Sequence, residues 1–151
     1  MKLQNVTRLS VLAVSATLMT VSLAVSQDDP VKARQESMKQ VGAATGAMGK
    51  MVKGEIDYDA AAAEKAMTQI RDAAEKFADK FPEGSDQGKT EAAPKIWEDK
   101  EGFKTATAKL HKDADGAIAA AGTDLDSLKA SFGKVASNCK SCHETYRVKK
   151  N

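Results

Sequence analysis

Near its C-terminal end the sequence reads Cys139-Lys140-Ser141-Cys142-His143, and this stretch holds both cysteines of the chain. Two thiols three positions apart, followed at once by a histidine, form the C-x-x-C-H pattern of covalent haem attachment. The spacing suits the chemistry: the thiols add across two porphyrin vinyl groups as thioethers, and the adjacent imidazole reaches the iron as an axial ligand. On a helix, Cys139 and Cys142 are an i,i+3 pair and Cys139 and His143 an i,i+4 pair, so all three side chains leave by one face. Two other chemistries use paired cysteines. A redox-active dithiol sits at a helix start after a strand, and structural zinc takes about four ligands. There is no further cysteine, His111 is the only other histidine, and no alternating strand-helix pattern is legible. One covalent haem c is therefore the expected cofactor, with a haem-free thiol oxidoreductase as the remote alternative.

Such a motif must be carried by helices, and the rest of the chain is patterned for them. Small and apolar residues recur at 3-4 spacing in four seams: Val31, Arg34, Met38, Val41, Thr45, Met48 and Val52; then Ala60, Ala63, Met67, Ile70, Ala74, Phe77 and Phe81; then Phe103, Thr107, Leu110, Ala114, Ala117 and Ala121; then Leu125, Leu128, Phe132, Val135, Cys139, Cys142 and Tyr146. A mean spacing near 3.5 residues predicts helices packed at a shallow angle, hence an all-α antiparallel four-helix bundle. The fourth seam contains both cysteines, which places the haem inside it. Pro30, Pro82 and Pro94 punctuate the chain. Gly54 ends the first helix, Asp57 or Asp59 caps the second, and Pro82-Glu83-Gly84-Ser85 stops it; Gly122 ends the third, and Thr123 or Asp124 opens the fourth. The connection from Pro82 to Lys100 is long and is expected to cover one end of the bundle, with Ile96 and Trp97 tucked in.

The N-terminus reads as an export signal. Lys2 and Arg8 precede an apolar stretch from Val11 to Val25, and Ala24-Val25-Ser26 offers small residues for cleavage before Gln27. That stretch falls short of the ~20 residues of a membrane span. The expectation is a signal peptide over residues 1–26, a single domain over residues 27–151 and a periplasmic location, where covalent haem attachment takes place in bacteria. The signal carries two basic and no acidic side chains, so the remainder is formally neutral, which leaves no footprint for nucleic acid.

In order and spacing the chain resembles cytochrome c′, the class II c-type cytochromes. The matching parts are Arg34-x-x-x-Met38; Val52-Lys53-Gly54 with Tyr58-Asp59-Ala60; Pro94-x-Ile96-Trp97-x-Asp99-x-x-x-Phe103; and the C-terminal haem motif with Tyr146-Arg147. The resemblance implies a haem held by Cys139 and Cys142, with His143 as proximal ligand and the residue at position 38 on the opposite side. Where that residue does not ligate, a five-coordinate iron binds nitric oxide or carbon monoxide. In the related c556-like cytochromes a methionine of this helix is the sixth ligand. Position 38 is Met, so both readings stand: a gas binder with Met38 as packing, or a six-coordinate electron carrier with Met38 as ligand.

An arginine on a core-facing seam needs an anionic partner, which assigns Arg34 to a haem propionate, the other reading being a solvated Arg34 before a late helix start. Arg147, one turn past His143, either approaches the haem or serves as a helix C-terminal cation. Phe77, Phe81 and Phe132 are expected as pocket walls, and His111 as a solvated residue. A possible homodimer contact is read from an off-seam stripe on the first helix, Ala44, Ala47 and Met51. No nucleophile-base pair and no second metal site is legible, so the expected protein is no enzyme; its redox partners are not named by the sequence.

Overall fold

The structure, a computed structural model, describes residues 29–148; the expected signal peptide lies outside them. The described elements are α1 (Pro30–Lys53), α2 (Ala60–Glu75), a 3₁₀ turn (Ala78–Lys80), α3 (Lys95–Glu98), α4 (Lys100–Asp115), α5 (Ile118–Ala121) and α6 (Leu125–Tyr146). The four long helices form the bundle: α2 packs on α1 and α4, α4 on α6, and α6 closes back on α1. Among the described residues the only β pairing is an isolated antiparallel bridge between Ala92 and Arg147, and no helix is long and apolar enough to cross a membrane.

Each long helix starts on an aspartate. Asp29, Asp59, Asp99 and Asp124 accept hydrogen bonds from backbone N–H groups of the following first turns, satisfying donors that a helix start leaves without partners. Gly54 ends α1 in the left-handed region at φ 71°, where a side chain would be strained.

The main core is built from all four long helices. Met48, Met67 and Leu128 are fully buried within it. On α1 the buried line is Arg34, Ser37, Val41, Ala44, Met48 and Met51, whereas the seam read from sequence takes Met38, Thr45 and Val52, which are half-buried. Both lines are one residue apart on a single broad stripe, because α1 meets two neighbours, α2 and α6, rather than one. The proposed dimer stripe is thereby removed: Ala44 and Met51 belong to the core at 3% and 4% exposure, and only Ala47 faces outward.

Two helices end earlier than their periodicity implied. The second stops at Glu75 rather than at Pro82, and the 3₁₀ turn that follows brings the Phe77 and Phe81 rings edge to face at 5.2 Å. The third stops at Asp115, with Gly116 as its C-cap, and resumes as α5. Glycine is the poorest helix former after proline, by ~1 kcal/mol against alanine, and the alanine pattern running across it masks the break. The connection between α2 and α4 crosses one end of the bundle as expected, with Ile96 buried and Trp97 half-buried.

Candidate functional site

A cavity of about 1060 Å³ opens between α1, α4, α6 and the segment 89–92 of the long connection, hereafter the strap. Its size is at the upper end of the ~300–1,000 Å³ found for cofactor sites. From α6 it takes Asn138, Cys139, Cys142, His143 and Tyr146, the i, i+1, i+4, i+5 and i+8 positions that one helical face presents. The two thiols and the imidazole predicted to act together do meet in one cavity.

Both cysteines are free thiols and half-buried. Burial pushes both thiol pKa values up, and for Cys142 the neighbouring Cys139 adds to the effect. Reactive dithiols need the opposite shift, so the local electrostatics do not favour the thiol oxidoreductase. At His143 burial, and secondarily Arg147, hold the pKa below the ordinary value, opposed by Glu91. Both effects favour the neutral imidazole, the form in which it ligates metal, although His143 keeps an exposed edge. Among the described residues no group of three His, Cys, Asp or Glu converges as a metal-binding cluster. Two thiols and an imidazole on one wall would hold a porphyrin by two thioethers and reach its iron, so the residues present fit that group.

The wall is mostly apolar: Met38 and Val41 from α1, Phe77 and Phe81 from the turn region, Ile96, and Phe103 and Leu110 from α4. Met38 is half-buried and touches both the main core and a second cluster formed by Phe77, Ile96, Phe103 and Tyr146. Aromatic rings run edge to face through that second cluster, Tyr146 to Phe103 at 5.2 Å, Phe103 to Phe81 at 4.8 Å and Phe81 to Trp97 at 6.0 Å. The Trp97 indole N–H donates to the Pro82 carbonyl at 3.1 Å, and the Tyr146 hydroxyl to the Asp99 carboxylate at 3.1 Å. Phe132 lines no part of the cavity; it packs on the main core. It lies seven residues before Cys139, about 10 Å along the helix, which the seam pattern alone does not penalise.

Arg34 is on the wall and buried at 4% exposure, so the solvated alternative is not what the chain adopts. Its guanidinium donates to Ser85 Oγ at 3.0 Å, the Ser85 carbonyl at 2.6 Å and Thr90 Oγ1 at 2.7 Å, and it stacks near Phe81 and Trp97 at 4.8 and 5.8 Å from their centroids. One end of the strap is therefore tied to α1, with Gln35 adding a bond to the Lys89 carbonyl at 2.8 Å. The other end is tied to the tail of α6. The Ala93 N–H bonds the Tyr146 carbonyl at 3.0 Å, the Val148 N–H bonds the Glu91 carbonyl at 2.9 Å, and the exposed Arg147 pairs with Glu91 through Nε at 2.7 Å and through Nη2. Arg147 thus stands at the cavity rim, engaged with the strap. His111 is half-buried on α4 and outside the cavity lining.

Sequence reasoning did not find Ser85, Thr90, Asn138 or Asp113. Asp113 is buried between α4 and α6, with Lys109 Nζ at 2.6 Å, Lys134 Nζ at 3.2 Å and Asn138 Nδ2 at 3.0 Å. The only signal for it is the i,i+4 pair Lys109 and Asp113, which reads as an ordinary surface ion pair.

The family model for cytochrome c′ matches residues 29–147. A cytochrome c-556 from Agrobacterium fabrum is 42% identical over 120 residues, covering 80% of this chain and 82% of that protein. A solved cytochrome c′ from Rhodopseudomonas palustris is also 42% identical, with a TM-score of 0.79, covering 83% of this chain and all of the other. A solved variant of cytochrome c′ from Alcaligenes xylosoxidans, in complex with nitric oxide, is 35% identical with a TM-score of 0.72, covering 81% of this chain and 95% of the other.

Proposed function

The chain belongs to the cytochrome c′ family and is a monohaem c-type cytochrome, and on that footing we propose that Cys139 and Cys142 hold the haem as thioethers while His143 ligates its iron. The observation that carries this is one turn of α6 presenting two thiols and one imidazole to a single, mostly apolar cavity. When bound, haem c supplies one-electron redox chemistry and a site for small diatomic ligands. The chain's own residues do the rest. Phe77, Phe81, Phe103 and Ile96 keep water from the cavity. Arg34 brings a buried positive charge to the wall, suited to a propionate, while the strap closes the rim.

Function then turns on Met38. In the proposed reading its thioether is a wall, held by packing against both apolar clusters, and the iron is five-coordinate and takes nitric oxide or carbon monoxide, as the nitric oxide complex of the A. xylosoxidans variant supports. The protein binds gas and exchanges electrons without being an enzyme, and residues 1–26 direct it to the periplasm. A second reading has its own support: the A. fabrum c-556 is as similar as the R. palustris cytochrome c′, and a thioether does face the cavity. There Met38 is the sixth ligand of an electron carrier. Absorption spectra decide between them. The proposed reading expects a high-spin ferrous protein, with Met38→Ala remaining high-spin and binding carbon monoxide faster through the enlarged cavity. A wild type that is low-spin in both oxidation states, and high-spin only without Met38, establishes the second.

A further inference from the structure

The cluster around Asp113 plays no part in haem binding as described above. Several lysines on the helix surfaces are paired singly with exposed partners, as Lys104 is with Glu101 at 3.4 Å and Lys129 with Asp126 at 3.2 Å, with both side chains of each pair in water. Lys109 and Lys134 differ. They share one carboxylate, Asp113, whose side chain is 9% exposed while theirs are 60% and 68% exposed. The cluster therefore keeps a net positive charge, and it holds that charge in place.

The location is also specific. Lys109 Nζ lies 2.8 Å from Asn138 Oδ1, and Asn138 both lines the haem cavity and immediately precedes Cys139. Asn138 is 5% exposed and is itself fixed, its amide donating to Asp113 and to the Val135 carbonyl. The two ammonium groups thus sit over the α4/α6 seam, beside the turn that carries the first haem thiol.

We propose that Lys109, held by Asp113 and Asn138, and Lys134, paired with Asp113, are the docking point for an acidic redox partner protein at the α4/α6 edge of the haem cavity. The inference rests on electron exchange, one part of the function proposed above. Charge complementarity identifies the partner's chemistry: a fixed net positive site beside the redox centre meets a carboxylate-rich surface. Preorganisation favours it. Immobilising a flexible side chain on binding costs ~0.5–1.5 kcal/mol, and for these lysines that ordering is already present in the free protein. Both heads remain exposed enough to be shared with a partner, and fixed charges beside a redox centre steer encounter and raise association rates at low salt.

The test uses the haem-loaded protein and two outer-sphere oxidants of opposite charge. In each reaction one electron passes from the reduced protein to the probe, hexacyanoferrate(III) or tris(phenanthroline)cobalt(III), and no bond is made or broken. Replacing both lysines, Lys109→Gln with Lys134→Gln, is expected to slow oxidation by the anion about 10-fold at ~10 mM ionic strength and under about 2-fold at 1 M, where the screening length is ~3 Å. The cationic probe is expected to speed up. Lys109→Arg with Lys134→Arg keeps the charges and is expected to keep the wild-type rates, and Lys129→Gln, at the far end of α6, to change either rate by less than about 1.5-fold. Equal slowing of both probes, or equal effects of Lys129→Gln and the double variant, overturns the proposal. An independent readout needs no electron transfer: paramagnetic hexacyanochromate(III) is expected to broaden the amide signals of Lys109, Lys134 and Asn138 first. Broadening centred elsewhere refutes the docking point even if electron exchange is upheld, and broadening centred there supports it even if neither oxidant reacts.

Discussion

Arg34→Ala removes the tie between α1 and the strap, and its cost follows from what the guanidinium touches. Three short hydrogen bonds, to Ser85 Oγ, the Ser85 carbonyl and Thr90 Oγ1, and a long one to the Lys80 carbonyl at 3.5 Å are lost together with the stacking on Phe81 and Trp97. Hydrogen bonds to a charged group contribute ~1.5–3 kcal/mol each and the stacking about 1–2 kcal/mol. These terms belong to one network and do not add, and removing the buried charge returns part of its desolvation cost, so the net loss is about 3–4 kcal/mol, within the range for breaking a buried charged contact. At about 3–5 °C per kcal/mol for a domain of this size, the melting temperature falls by about 9–20 °C. Far-UV circular dichroism of the haem-loaded ferric protein measures that fall, and hydrogen exchange locates it: amides of residues 85–93 are expected to lose protection before those of α2 and α4. Arg34→Lys retains the charge but not the fork that bonds Ser85 and Thr90 at once, and recovers less than half of the loss. An alanine variant melting within about 3 °C of wild type, or complete rescue by lysine, refutes the reasoning.

Replacing both thiols, Cys139→Ala with Cys142→Ala, is expected to leave no haem on the chain after acid-acetone extraction; covalent haem in that variant contradicts the attachment assigned here. Lys109, then Asn138 and Lys134, hold the Asp113 carboxyl well below the usual carboxylate range against the opposing effect of burial. A depressed carboxyl stabilises the fold fully above its ordinary value of ~3.9 and loses that contribution as pH falls below it, so Asp113→Asn is expected to shrink the drop in urea midpoint between pH 7 and pH 3; an unchanged drop rejects the linkage. Leu128 is fully buried and Ile56 is 45% exposed, so chemical denaturation is expected to show Leu128→Ala costing about 2–5 kcal/mol and Ile56→Ala within about 0.5 kcal/mol of wild type. Equal costs contradict the core as described.

The features legible in the sequence are those written locally. The haem motif is five consecutive residues, the caps at Asp59 and Asp124 are fixed by their own first turns, and the 3-4 rhythm yields four helices and a bundle. The features not legible join distant segments. Ser85 and Thr90 are polar residues in a connection, and nothing in their neighbours says that an arginine 51 and 56 positions away bonds them. Asp113 is concealed in the same way, since its burial is decided by α6 and not by α4. Periodicity also misplaces an edge when a helix has two neighbours: Ser37, Ala44 and Met51 share the interior with the line one residue on. Nor does it register where a helix stops, because Phe77 and Phe81 keep their spacing through a change to a 3₁₀ turn, nor depth along the axis, as Phe132 shows.

The row of rings from Tyr146 to Trp97 gives the protein an optical property. Trp97 is the only tryptophan of the chain, and it ends a ladder whose other members line the cavity. A porphyrin absorbs strongly where indole emits, so with haem bound in the cavity excitation energy is expected to pass from Trp97 to it and leave the folded protein dark. Unfolding separates the two chromophores and the emission returns. Because Trp97 stands three residues before α4, release of the strap alone leaves the indole close to the cavity, and its emission is expected to report separation of α4 from the haem site.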